Sequence, residues 1–168
     1  ELSGLLSPNI PLEKNSTDDQ TFTWTPVTPL QQGTTYTFTV KDLAITDATK
    51  QVLTSTTFTT VTAPQAVSAK PQDHVSPGQS IEITSDQAMA KATDRVVFQT
   101  PGSGSWKDDK TFKFTPTKLE PGVTYKYTLQ KGLASQAGGL FETDQVLQFS
   151  TNGAVSASIG PSSGEVAT

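Results

Sequence analysis

The stretch Thr21 to Val40, TFTWTPVTPLQQGTTYTFTV, constrains this chain more than any other, because it recurs as Thr111 to Leu129, TFKFTPTKLEPGVTYKYTL. Each copy alternates apolar and polar residues, reverses at Pro and Gly, and alternates again. A period of two puts the apolar side chains on one face of a half-buried strand. Recurrence of a whole strand, turn and strand segment predicts successive β-units. The matches fall at inward and turn positions. Phe22, Trp24, Pro26, Leu30 and Gly33 correspond to Phe112, Phe114, Pro116, Leu119 and Gly122; Tyr36, Phe38 and Val40 correspond to Tyr125, Tyr127 and Leu129; Phe58 and Thr60 correspond to Phe149 and Thr151. Outward positions drift, as expected of a repeated packing unit.

At 168 residues the chain has room for one ordinary domain or two small ones, and the repeat favours two. A hydrophobic fraction of 33% suits thin sandwiches whose strands bury one face each. The formal net charge is -4 and the twelve basic residues are scattered, so neither nucleic acid nor membrane insertion is expected. No apolar run approaches the length of about 20 residues that spans a bilayer. Cysteine is absent, which removes disulfides, zinc knuckles and thiol chemistry. The chain starts at Glu1 and carries no leader-like opening, so it reads as a piece of something longer.

Taken in order, Glu1 to Gln20 reads as a short strand and a loop, with Pro8 and Pro11 ruling out a long helix. Thr21 to Thr25 is a strand, Pro26 to Gly33 a turn over Leu30, and Thr35 to Val40 a second strand. Lys41 to Lys50 is a polar excursion, and Val52 to Thr60 closes the unit with Phe58 inward. Val61 to Gln65 has linker composition. Ala66 to Ala69, Ile81 to Thr84 and Arg95 to Thr100 then supply three strands that the first unit largely lacks. The loop PGSGSWKDD leads into the second copy of the repeat. Past Asn152 and Gly153, Ala154 to Ala157 repeats the AVSA of Ala66 to Ala69. The domains expected are residues 1–62, an incomplete sandwich; 63–152, a complete one; and 153–168, the opening strand of a further unit or a donor strand.

The spacing of Ile159, Pro161 and Gly164, taken with TFTWTP, PLQQGTTYTFTV and a closing FTT, resembles the bacterial immunoglobulin-like domain of surface-layer proteins and large cell-surface arrays. The resemblance implies an all-β fold of tandem Greek-key sandwiches with about seven strands each, the first lacking its opening strands. It also implies an extracellular spacer, stalk, array unit or filament subunit with no catalytic residues to carry over. The rival readings are an adhesive or glycan-binding module, and accessory domains of a cell-wall or polysaccharide-acting enzyme.

A sandwich without its first strands exposes an edge and a groove that invite a strand from elsewhere. The spare tail residues Ala154, Val155, Ala157, Ile159 and Val166 form the candidate assembly strand. The partners expected are other copies of the chain or neighbouring immunoglobulin-like domains, with a cell-surface glycan as the alternative. Trp106, in the PGSGSWKDD loop, is the candidate exposed glycan contact, since a free indole stacks on sugar rings. Asp18 and Asp19, Asp108 and Asp109, and Asp42 with Asp47 are the candidate Ca²⁺ ligands, but none has the spacing of a dedicated loop, and no cofactor is expected. His74 near Ser76 is the nearest approach to a base and nucleophile, and it lacks a supporting carboxylate. Lys41, Lys113 and Lys131 are the lysines placed to form a Lys to Asn cross-link.

Overall fold

The computed structural model describes residues 2–18, 20–42 and 51–154. Leu2–Ser7 (β1), Leu12–Ser16 (β2), Phe22–Pro26 (β3), Thr35–Asp42 (β4) and Gln51–Thr59 (β5) form a first group of strands. Ala66–Lys70 (β6), Ile81–Ser85 (β7), Val96–Phe98 (β8), Gly102–Trp106 (β9), Thr111–Pro116 (β10), Thr124–Leu129 (β11) and Gln145–Ser150 (β12) form a second. All described structure is strand and loop.

In the second group a sheet ordered β6-β7-β10-β9 faces one ordered β12-β11-β8. Their inner faces supply one core: Ile81, Ile83, Phe112 and Phe114 from one side, Tyr127, Leu129 and Phe149 from the other, closed by Val75, Met89, Leu133 and Phe141. This is the immunoglobulin-like sandwich, with all named pairings antiparallel. In the first group the sheets are β1-β4-β5 and β2-β3. Trp24 crosses between them: a Cβ on Gly4 would lie 2.6 Å from its ring, so glycine is what lets the indole lie flat on β1.

The registers of the two groups correspond. β3 pairs with β2 as β10 pairs with β9, and β4 lies between β5 and β1 as β11 lies between β12 and β8. Three expectations are corrected by this. The N-terminal segment holds two strands, β1 and β2, because the Pro8 to Pro11 stretch separates two pairing segments instead of opening a loop. The PGSGSWKDD segment holds β9, which carries little apolar alternation because rings from β10 cover it. A Cβ at Gly102 or Gly104 would lie 2.5 Å from Phe114 or Phe112 respectively. Consequently, among the described residues, the first group shows no counterparts of two strands, β6 and β7, and not three, since β1 takes the place of β8.

Phe58 points inward but is not sealed from solvent. It stands on the inner face, stacked on Tyr36 with centroids 5.8 Å apart, yet it is 40% exposed, whereas Phe149 is 1% exposed. Among the described residues of the first group, the buried apolar side chains are Leu6, Tyr36 and Val40. Leu43, Ile45 and the rest of the polar excursion lie outside the described residues.

Candidate functional site

The difference between the groups is concentrated on the edge of β3. In the second group the equivalent edge of β10 is taken by β7, with Phe112 opposite Ile83 and Phe114 opposite Ile81. Those four side chains are 0 to 3% exposed. On β3 the alternation of Thr with Phe22 and Trp24 turns both rings inward, but among the described residues no strand pairs beside them on that edge. Both rings are half-buried.

The result is an open apolar groove of about 510 Å³ lined by Leu12, Phe22, Trp24, Leu30, Phe38 and Phe58, with Leu6 at its floor. Its aromatic wall is continuous: Phe22 to Trp24 is 6.2 Å and Trp24 to Phe38 is 5.5 Å between centroids. Lys14 on β2 crosses behind it, its Nζ 4.7 Å from the Phe22 centroid and 3.1 Å from Leu2 O. A groove with an unpaired strand edge along one side takes an extended chain, through backbone hydrogen bonds and alternate apolar side chains.

The individual candidates fall elsewhere. Of the assembly strand, Ala154 is described and exposed; Val155, Ala157, Ile159 and Val166 lie outside the described residues. Trp106 is corrected from an exposed loop ring to a half-buried strand residue. It sits at the end of β9, edge-on to Phe112 at 5.3 Å, and its indole N–H donates to Ala92 O at 3.1 Å. Asp18 and Asp108 are twins in a turn. Asp18 Oδ1 accepts from the Gln20 and Thr21 amides at 2.8 and 2.6 Å, and Asp108 Oδ1 accepts from the Lys110 and Thr111 amides at 2.8 and 2.7 Å. These bonds, led by the Gln20 amide in one case and the Lys110 amide in the other, hold both carboxyls below the ordinary range.

Asp109 pairs with Lys91 at 2.8 Å, both side chains well exposed. Asp19 and Asp47 lie outside the described residues. Among the described residues no three His, Cys, Asp or Glu side chains converge as metal ligands. His74 holds positive φ in its loop and its Nδ1 lies 2.7 Å from Asn152 Oδ1. Lys113 and Lys131 are exposed, Lys41 half-buried.

Sequence reasoning missed the contact that joins the two groups. The Gln32 side chain donates to Leu140 O at 3.0 Å and accepts from Leu140 N at 2.6 Å, and it reaches Glu142 Oε1 at 3.3 Å. Gln87 donates to Thr62 O and Oγ1 at 3.1 and 3.0 Å. Gly139 lets this seam close, because a Cβ there would clash with Thr62 O. A turn glutamine facing a loop so distant in sequence leaves no periodic signal.

Comparison with known proteins bears on the second group. The family model described as the bacterial Ig-like domain matches residues 61–151, from the linker to the end of β12. No curated protein matches the chain.

Proposed function

The chain belongs to the bacterial Ig-like domain family, and from that premise we propose that it is a non-enzymatic structural segment of a bacterial cell surface: tandem Ig-like units serving as a stalk, array unit or filament subunit. The family is a non-catalytic fold family typical of surface and extracellular proteins, and no helix among the described residues is long and apolar enough to cross a membrane. On this reading β1 to β5 are a second unit of the same design, seen without the strands equivalent to β6 and β7. Its partners are other copies or adjoining units, its site is an assembly surface, and it works without a cofactor.

The observation that carries the reading is the seam at Gln32. A side-chain amide bonded to both the N–H and the C=O of Leu140 restricts direction as well as distance, which supports a fixed joint between the two groups. A typical intramolecular hydrogen bond contributes about 0.5 to 1.5 kcal/mol, exposed ones toward the low end, and several in one seam favour a stiff joint over a free linker. A spacer needs that stiffness; a catalytic or glycan-binding module does not. Small-angle scattering of the whole chain tests it: a narrow distribution of end-to-end lengths is expected, broadened by Gln32→Ala. A native chain as broad as the variant would reject the stalk. Strand donation between copies is the means of assembly that this reading favours.

A further inference from the structure

We infer that Asn152 is a self-modifying residue: the amide nitrogen of Gly153 attacks its side-chain carbonyl carbon, ammonia leaves, and water opens the resulting succinimide to aspartate or isoaspartate, with the His74 imidazole as hydrogen-bond donor to the reacting oxygen. The inference stands on local geometry and does not rest on the structural-segment reading.

The chain has three asparagines, Asn9, Asn15 and Asn152, and only Asn152 is followed by glycine. The following residue matters because a Cβ there crowds the backbone nitrogen that must reach Cγ, and glycine has none. The surrounding space is open as well, since a Cβ built at Gly153 would meet nothing within 4 Å. Asn152 and Gly153 are both exposed, and the Gly153 N–H has no hydrogen-bond partner among the described residues. No ladder bond therefore occupies the nucleophile.

The electrophile is held. Asn152 Nδ2 donates to His74 O at 3.5 Å, which turns Oδ1 toward the imidazole, and Oδ1 lies 2.7 Å from His74 Nδ1. An amide oxygen can only accept, so Nδ1 carries the proton. That N–H polarises the Cγ=O bond and stabilises the oxyanion formed when the Gly153 nitrogen adds, as a pre-placed donor does in acyl transfer. His74 reaches this position from a backbone at φ 58°, a conformation uncommon outside glycine. The N–Cγ bond forms as the Cγ–Nδ2 bond breaks, and the proton of the Gly153 N–H ends on the departing ammonia. Water then breaks the ring nitrogen's bond to Cγ, giving aspartate, or to the backbone carbon, giving isoaspartate.

The site lies where the chain leaves the second group. Asn152 O accepts from Gly122 N at 2.7 Å, as Val61 O accepts from Gly33 N at 2.8 Å in the first group, where the next residue, Thr62, bonds to Gln87 in the seam. Isoaspartate lengthens this exit by one methylene, and either product sets a carboxylate against His74.

Incubation of the whole chain at neutral pH, followed by peptide mass analysis and enzymatic labelling of isoaspartate, tests this. Asn152 is expected to convert, with both products present, while Asn9 and Asn15 in the same chain persist. His74→Gly, which accepts the positive φ, should slow conversion about tenfold, the worth of one hydrogen bond to a developing charge, with an unchanged melting profile. Gly153→Ala should nearly abolish it. An Asn152 that keeps its amide as long as Asn9 and Asn15 do overturns the proposal. So does conversion of His74→Gly at the wild-type rate, which would mark ordinary Asn-Gly reactivity without a donor. An unslowed Gly153→Ala would mark direct attack by water and overturn the ring route.

Discussion

Phe22 and Phe112 hold the same place in the same motif, yet Phe112 is 2% exposed and Phe22 only half-buried. Phe58 and Phe149 differ more, at 40% and 1%. The strand, turn and strand segment specifies pairing and direction in both groups. Whether its rings become a core is decided by the neighbouring strand, and Ile81 and Ile83 are that strand's contribution. The pair of groups is therefore an internal experiment in what β7 does.

The largest effect that can break this comparison is truncation of the rings. Phe112→Ala should destabilise the second group by about 3 to 5 kcal/mol, the usual loss for a fully buried aromatic. Phe22→Ala should remove less than about 2 kcal/mol from the first, since its ring already meets water. Urea denaturation followed by the Trp24 and Trp106 fluorescence would read both. Equal losses would mean that β7's cover contributes nothing to Phe112.

Next in size is Gly104, which pairs with Phe114 where Lys14 pairs with Trp24. The Phe112 ring lies across Gly104, with its Cζ 2.5 Å from where a Cβ would stand. Gly104→Val should cost about 1 to 3 kcal/mol through overpacking. Lys14→Val should stay within about 1 kcal/mol, losing the cation over Phe22 and one exposed hydrogen bond. A harmless Gly104→Val would show that the ring can move aside.

These residues also mark what could be read from the sequence. Phe22, Trp24, Phe38, Phe112 and Phe114 announce their strands, because alternation is local and each face of a strand is set by parity. β9 is silent: its glycines are covered by rings that belong to another strand. In β1 the neighbours Leu5 and Leu6 are both apolar, though one is 42% exposed and the other 7%, so parity hides its register. The groove was legible as a missing opening, but the exposure of Phe58 follows from a long-range neighbour that no window of sequence contains. The Gln32 seam joins two turns across the fold and has no periodic signature at all.

A smaller effect, with the opposite sign, comes from Tyr127, which stands where the first group has Phe38. Tyr127 is 1% exposed, and its hydroxyl finds no hydrogen-bond partner among the described residues. Tyr127→Phe should therefore stabilise the second group by about 1 kcal/mol, by removing an unpaired buried polar group. Burial pushes the phenol pKa from 10.0 up to about 12. The folded state thus favours the neutral phenol, and that stabilisation is complete below pH 10 and lost as pH rises through 12. Melting curves across this range should show an alkaline loss in the wild type that is reduced in Tyr127→Phe. An unchanged alkaline profile would mean that the hydroxyl reaches water.

The smallest effect is the one on which the two groups should agree. Asp18 and Asp108 cap equivalent turns through bonds to backbone amides two and three residues ahead. The Asp108 turn touches β7, where Lys110 O accepts from the Ser85 amide at 2.9 Å, but the two capping carboxylates themselves make the same local bonds. Both carboxyls titrate below the ordinary 3.8 because the amides favour the ionised form. A depressed folded pKa contributes stability that is present above 3.8 and lost as pH falls below it through the folded value. Both side chains are solvated, so the loss should be slight, and it should be alike for Asp18→Ala and Asp108→Ala when carboxyl titrations by NMR and melting at pH 7 and pH 3 are compared. If Asp108→Ala alone altered the acid profile, the turn would depend on the packing of its group. Equal responses would confine the difference between the groups to the edge of β3, where the rings are only half-buried.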